Sequence, residues 1–120
     1  MAGETVATIK ELASLRDNWD GYHSPPLDGG ALALAEHLLT QLRDQAPLPT
    51  AHVGPESGGA VQIEWAVGGR ELELHVLGEL CVEYLRSVDG EPGESGVIQG
   101  QRVEDIVEGV RLHVRWVVGD

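Results

Sequence analysis

Four side chains with acid, base or metal-binding chemistry fall on one face of a predicted β-sheet. Glu64, Glu73, His75 and Glu83 lie in runs of alternating polar and apolar residues, and side chains two apart on a strand point the same way. Carboxylates beside an imidazole are groups that bind divalent cations or transfer protons. The same pattern is typical of a polar face that only contacts solvent, and the sequence leaves both interpretations open.

The strand prediction comes from the middle of the chain. Polar and apolar residues alternate over 60–67, 70–77 and 79–86, which predicts three strands with one buried face. Gly68-Gly69 and Gly78 separate these runs and are compatible with tight hairpins, so the strands form an antiparallel meander. The predicted buried face comprises Val61, Ile63, Trp65, Leu72, Leu74, Val76, Leu80, Val82 and Tyr84. The predicted open face comprises Gln62, Glu64, Glu71, Glu73, His75, Cys81 and Glu83.

Helices are predicted to cover the buried face. Apolar residues recur at helical spacing over 5–17, over 29–44, and from Val103 to Val117. Asp28 is placed to cap the second helix, because its carboxylate can accept N–H bonds from the first turn. Elsewhere we expect a short strand over 51–53 and an exposed loop over 88–100. The many β-branched residues leave a strand over 112–118 as an alternative to helix.

These elements define the expected fold class. We predict a single α+β domain over residues 1–120, with three to four antiparallel strands covered on one face by two to three helices, in the order α-α-β-β-β-β-α. A chain of 120 residues can bury a core without a metal or a disulfide. With no Phe present, Trp19, Trp65 and Trp116 are expected to lock the layers together.

The net charge of the chain limits the classes of molecule that it is expected to bind. The 20 acidic and 8 basic residues give a formal net charge of −12, which disfavours binding to nucleic-acid phosphates or an anionic membrane. An acidic surface favours solubility and steering toward a basic protein. No apolar stretch approaches a membrane span of about 20 residues, and the N-terminus lacks a signal pattern, so a cytoplasmic location is expected.

Other chemical signatures are weak. Cys81, the single cysteine, permits no intramolecular disulfide and is interpreted as a small, partly buried apolar residue rather than a nucleophile. The sequence lacks metal-binding motifs such as His-Glu-x-x-His and paired Cys-x-x-Cys, and it lacks the Gly-x-Ser-x-Gly motif of a hydrolase nucleophile. No metal, cofactor or catalytic residue is therefore assigned. The loop bearing Trp19, Asp20 and Tyr22 has the composition of a binding site. The alternative is that this loop only connects two helices and that Trp19 packs into the hydrophobic core.

Two motifs carry a family resemblance. The segments Asn18-Trp19-Asp20-Gly21-Tyr22 and Gly58-Gly59-Ala60-Val61-Gln62-Ile63-Glu64-Trp65, together with Pro25-Pro26 and Glu71-Leu72-Glu73-Leu74, resemble a group of small bacterial proteins that has no assigned activity. The resemblance covers about residues 12–86 and transfers no functional residues. It implies only a context linked to mobile elements, toxins or defence.

The sequence therefore predicts a non-enzymatic protein-interaction module. We expect an immunity-, antitoxin- or inhibitor-like or defence-associated accessory subunit that binds a basic protein surface through its sheet face or edge. An exposed strand edge also makes a homodimer plausible. The alternative is a small metal-dependent or acid/base enzyme that uses Glu64, Glu73, His75 and Glu83.

Overall fold

A five-stranded antiparallel sheet with helices on one face forms the fold. The computed structural model describes residues 27–43, 51–56 and 58–119, and strand order in the sheet follows chain order. The elements are α1 Gly29–Arg43, β1 His52–Pro55, β2 Val61–Val67, β3 Arg70–Gly78, β4 Cys81–Val88, β5 Glu91–Gln99 and α2 Val103–Val118. The predicted α+β class, with helices packed on an antiparallel meander, is confirmed.

The fifth strand corrects the prediction of a loop over residues 88–100. Glu91–Gln99 is rich in Gly, Glu and Pro, which are depleted in strands, so its composition indicates a loop. Asp89 and Gly90 adopt φ angles of 51° and 83°, the left-handed geometry of a two-residue hairpin turn. This turn pairs β5 with β4 at the edge of the sheet, where proline is tolerated.

Both described helices match their predicted positions. The Asp28 carboxylate accepts the Ala31 N–H at 2.9 Å, which confirms the predicted cap of α1. The last apolar run is helical throughout, so the alternative strand over 112–118 is wrong. Its β-branched residues form the buried stripe of α2, and this burial outweighs their lower helix propensity. The helix predicted over 5–17 lies outside the described residues.

The core lies between the helices and the inner face of the sheet. Trp65 is 2% exposed, and the fully buried inward side chains of the sheet are Val61, Ile63, Leu72, Leu74, Val76 and Val82. Leu80 and Tyr84, predicted to be buried, are only half-buried. For Leu80 the reason is the turn between β3 and β4: it consists of Glu79 and Leu80, so β4 begins at Cys81 instead of residue 79.

Close packing of α2 on β5 gives a test of this arrangement. A Cβ added to Gly109 would lie 2.7 Å from Cγ2 of Ile98, a branch atom that cannot move far. Gly109→Ala should therefore lower the free energy of unfolding by about 1 kcal/mol, although alanine favours a helix by a similar amount. Chemical denaturation measures the effect. In an Ile98→Ala background the same change should be stabilising, and the packing is wrong if both backgrounds respond alike.

Candidate functional site

Antiparallel pairing brings the four sequence-predicted site residues of the sheet together. Glu64 on β2 lies directly opposite Glu73 on β3. His75 on β3 lies opposite Gln62 on one side and Glu83 on the other. The residues Glu64, Glu73, His75 and Glu83 thus share the open face across three adjacent strands. The other predicted site residues, Trp19, Asp20 and Tyr22, lie outside the described part of the chain.

A hydrogen-bonded network joins part of this face. His75 Nδ1 contacts Glu56 Oε1, a carboxylate oxygen that can accept a hydrogen bond from the ring. The opposite ring nitrogen of His75 is 3.7 Å from Glu73 Oε1, and this same oxygen accepts the Gln62 amide N–H at 2.6 Å. Glu73 is therefore held in place by Gln62 of β2, and His75 by Glu56, which follows β1.

Glu56 is a member of this network that sequence reasoning missed. It follows β1, and its N–H donates to the Ala60 carbonyl at 3.0 Å, which closes the turn toward β2. Its surroundings in the sequence, Gly54-Pro55 and Ser57-Gly58, indicate only a turn. The register between β1 and β2 places Glu56 near His75. This register is a tertiary feature that no local sequence pattern indicates.

Negative charge on the open face is not balanced by cations of the sheet. The two Arg residues of the described strands, Arg70 and Arg86, point to the inner face, where both guanidinium groups approach Trp116. Within the described residues, the open face of the strands carries carboxylates and histidines but no Lys or Arg. Like charges placed directly opposite, as in Glu64 and Glu73, destabilise a sheet. The arrangement suits attraction of an external cation.

An apolar strip borders the carboxylates. Val97 is 53% exposed and lies opposite Glu83. Leu85, two residues along β4 from Glu83, is half-buried, and Leu77 at the end of β3 is 40% exposed. Cys81 is half-buried on the same side, as predicted. Glu83 thus has the apolar Val97 opposite it on one side and His75 on the other, whereas Glu64 lies between His52 and Glu73.

The arrangement of potential metal ligands on this surface is unfavourable for binding a metal ion. Across residues 27–43, 51–56 and 58–119, no group of three or more His, Cys, Asp or Glu side chains is arranged to hold a metal ion. His75 is close to two carboxylates, Glu56 and Glu73. These contacts favour a hydrogen-bonded network over an open coordination site.

A second polar cluster, missed by the sequence analysis, lies on the inner face beneath α2. Arg86 Nε donates to His113 Nδ1 at 2.9 Å, and the His113 ring is stacked on Tyr84 with centroids 3.9 Å apart. The Tyr84 hydroxyl donates to Glu94 at 2.9 Å. Tyr84 and Arg86 follow the inward alternation of β4, but their partner on α2 depends on helix packing. The cluster fastens the β4–β5 hairpin to α2.

The environment of this cluster shifts two pKa values. The pKa of His113 is lowered, chiefly because burial disfavours the imidazolium and also because the Arg86 cation is adjacent. Glu94 acts weakly in the opposite direction. The pKa of Tyr84 is raised, first because its hydroxyl donates a hydrogen bond to Glu94. His113 is therefore held neutral as an acceptor for Arg86.

A cavity of about 710 Å³ opens at another end of the molecule. It lies between the first turns of α1 and α2 and the β3–β4 turn, with Leu34, Leu80 and Val103 among its apolar lining and His37 and Arg102 among its polar lining. Its lining includes no side chain from the open face. It is therefore a separate feature from the carboxylate surface.

Comparison with known proteins adds no assignment. No protein-family model, curated protein or solved structure matches the chain. The resemblance to a group of small bacterial proteins stays a prediction. Among the described helices, none combines the length and apolar character that crossing a membrane requires.

Repulsion between Glu64 and Glu73 gives a stability test. Glu64→Gln should raise the free energy of unfolding by roughly 0.5 kcal/mol at pH 8 and low ionic strength, because a like-charge cross-strand pair is removed. Glu104→Gln makes the same charge change in the first turn of α2. There a carboxylate favours the helix N-terminus, so this control should lower stability. Equal effects of the two variants would contradict unbalanced charge on the open face.

The His113 environment gives a pH test. A base whose pKa is lower in the folded state contributes stability above its unfolded pKa of about 6.5, and this contribution is lost as pH falls through the lower folded value. The wild-type protein should therefore lose more stability between pH 7.5 and 5 than His113→Gln, which keeps a neutral acceptor near Arg86. Thermal unfolding across this range measures the difference.

His37→Gln is the matched control for the pH test, because it removes an exposed histidine from α1. Parallel pH profiles for the wild type and His113→Gln would show that burial and the Arg86 contact do not oppose protonation of His113.

Proposed function

We propose that the chain is a non-enzymatic interaction module whose open sheet face binds a basic surface of a partner protein. The observation that carries this proposal is the Glu64–Glu73 pair on a face where the strands present no Lys or Arg among the described residues. In the free protein this arrangement costs stability. A cationic partner offsets the repulsion between the two carboxylates, so binding also removes this loss of stability.

Long-range attraction supports the same function. The formal net charge of −12 raises the encounter rate with a basic protein, and the effect falls as salt screens it. Exposed carboxylates such as Glu71 and Glu83 meet the partner without first breaking an internal ion pair with a described residue. We further propose that the module acts in the cytoplasm as an accessory subunit of the immunity, antitoxin, inhibitor or defence-associated kind.

Two other possible functions can be distinguished from this one by experiment. A homodimer across a strand edge would bring together two chains of −12 each, so its association should strengthen as salt rises. A metal-dependent or acid/base enzyme on Glu64, Glu73, His75 and Glu83 has support from the His75–Glu73 proximity. In that case divalent cations should raise the melting temperature and a chelator should lower it, whereas the interaction module should respond to neither.

Affinity capture with a matched pair of variants tests the proposed function. The immobilised protein is exposed at low salt to a lysate of the cell of origin, and bound proteins are eluted with a salt gradient. Glu64→Gln/Glu71→Gln/Glu83→Gln should lose a basic protein that the wild type retains. Glu36→Gln/Glu104→Gln/Glu108→Gln removes the same net charge from the helical layer and should retain it.

The salt profile and the control decide the outcome. Elution of the captured protein at moderate salt is expected for a contact built on exposed charges. If both triple variants lose the partner equally, net charge and not the open face is responsible. If the wild type retains no protein that the sheet-face variant loses, the proposed function is wrong.

A further inference from the structure

We infer that the basic partner binds as an added strand on the outer edge of β5, along residues 95–99, with its cationic side chains directed to Glu83. This inference rests on the proposed function and specifies its binding mode. The exposed edge of an antiparallel sheet offers unpaired N–H and C=O groups that an extended segment can use. The two edges of this sheet differ in how well they can accept such a segment.

Most of the edge length is protected against pairing. β1 has only four residues and ends at Pro55. The first half of β5 contains Glu91, Pro92 and Glu94, and its register with β4 shifts between the pairs Leu85–Ser95 and Ser87–Pro92. Charges, proline and irregular register are features that oppose strand addition. They leave the second half of β5 as the accessible edge.

Residues 95–99 lack the features that oppose strand addition in the first half of β5. The segment is Ser-Gly-Val-Ile-Gln, with no proline and no charge. Its pairing with β4 is regular from Ser95 opposite Leu85 to Gln99 opposite Cys81. β5 is the last strand of the sheet, so its outer edge pairs with no other described strand, and Ser95, Val97 and Gln99 are exposed. An extended segment of about five residues can pair here.

The surface beside this edge fits basic side chains with apolar stems. An added strand would lie about 4.8 Å from β5 and about 10 Å from β4. An arginine or lysine at an open-face position of that strand can reach over Val97 to Glu83, which lies opposite Val97. Its methylene groups would cover Val97 and Leu85 while its charge meets the carboxylate.

Charge complementarity selects a basic segment over a second copy of this chain. In a second copy, residues 95–99 would bring no cation to Glu83, and the net charges of the two chains would repel. A basic segment satisfies both the backbone edge and the carboxylate. The occupant is therefore a basic, extended segment of another protein.

A pair of synthetic peptides tests the binding mode. One is a nine-residue peptide of alternating Arg and Val; the other has the same sequence with alternate backbone amides N-methylated, which removes N–H donors and keeps the charge. The unmodified peptide should bind and protect the amides of residues 95–99 from hydrogen exchange. N-methylation should weaken binding by at least about tenfold, because several backbone hydrogen bonds are lost.

Two protein variants give the matched control. Val97→Lys places a competing cation opposite Glu83 and a charge on the accessible edge, so it should weaken peptide binding by about tenfold or more. Leu112→Lys makes the same change at another exposed apolar position, 62% exposed on α2, and should have an effect below about threefold. Circular dichroism and melting temperature establish that both variants are folded.

The outcomes separate the binding mode from the proposed function. If both peptides bind equally and both variants respond alike, strand addition is overturned while recognition of basic proteins by the acidic face stands. If neither peptide binds, strand addition is overturned, while binding of a basic protein surface is decided by the affinity capture with the triple variants. If sedimentation shows a wild-type dimer that strengthens with salt and that Val97→Lys dissociates, a second copy occupies the edge and the inference is overturned.

Discussion

The antiparallel pairing of β2 with β3 is the constraint on which both faces of the sheet depend. The pairing places Ile63 opposite Leu74 under the helices and Glu64 opposite Glu73 on the outer face. A slip of one residue would exchange the two sets, moving carboxylates into the core. The Gly68-Gly69 turn, with φ angles of 54° and 86°, fixes the register because these left-handed conformations suit a two-residue hairpin.

Sequence patterning predicts the parts of the molecule that depend on local alternation. The inward positions of β2 and β3, the capping of α1 by Asp28 and the buried stripe of α2 all follow from residue spacing. β5 escapes prediction because its Gly, Glu and Pro content indicates a loop, and pairing with β4 overrides that preference. Glu56 and His113 escape for a different reason, since each meets its partner only through tertiary packing.

Stability and the proposed recognition of a partner place opposite demands on the open face. Buried aliphatic side chains, together with Trp65, supply the core, so the sheet can tolerate unfavourable charge pairs on its other side. Arg70 and Arg86 lie on the inner face, where they contact Trp116 and cannot neutralise the outer carboxylates. A surface chosen only for stability would mix charges of both signs. The separation found here leaves negative charge available to a partner.

β4 connects the two clusters because its side chains alternate between the faces. Tyr84 and Arg86 contact Glu94 and His113 on the inner side, while Glu83 and Leu85 lie on the outer side beside Val97 and Ser95. The contacts beneath α2 therefore hold in place the hairpin that presents the accessible edge. Protonation of His113 would remove the acceptor for Arg86 and set two cations side by side. Acid should thus loosen the contact of this hairpin with α2, while the hydrogen bond from the Asp89 N–H to the Gly69 carbonyl at 2.7 Å still joins it to the Gly68-Gly69 turn.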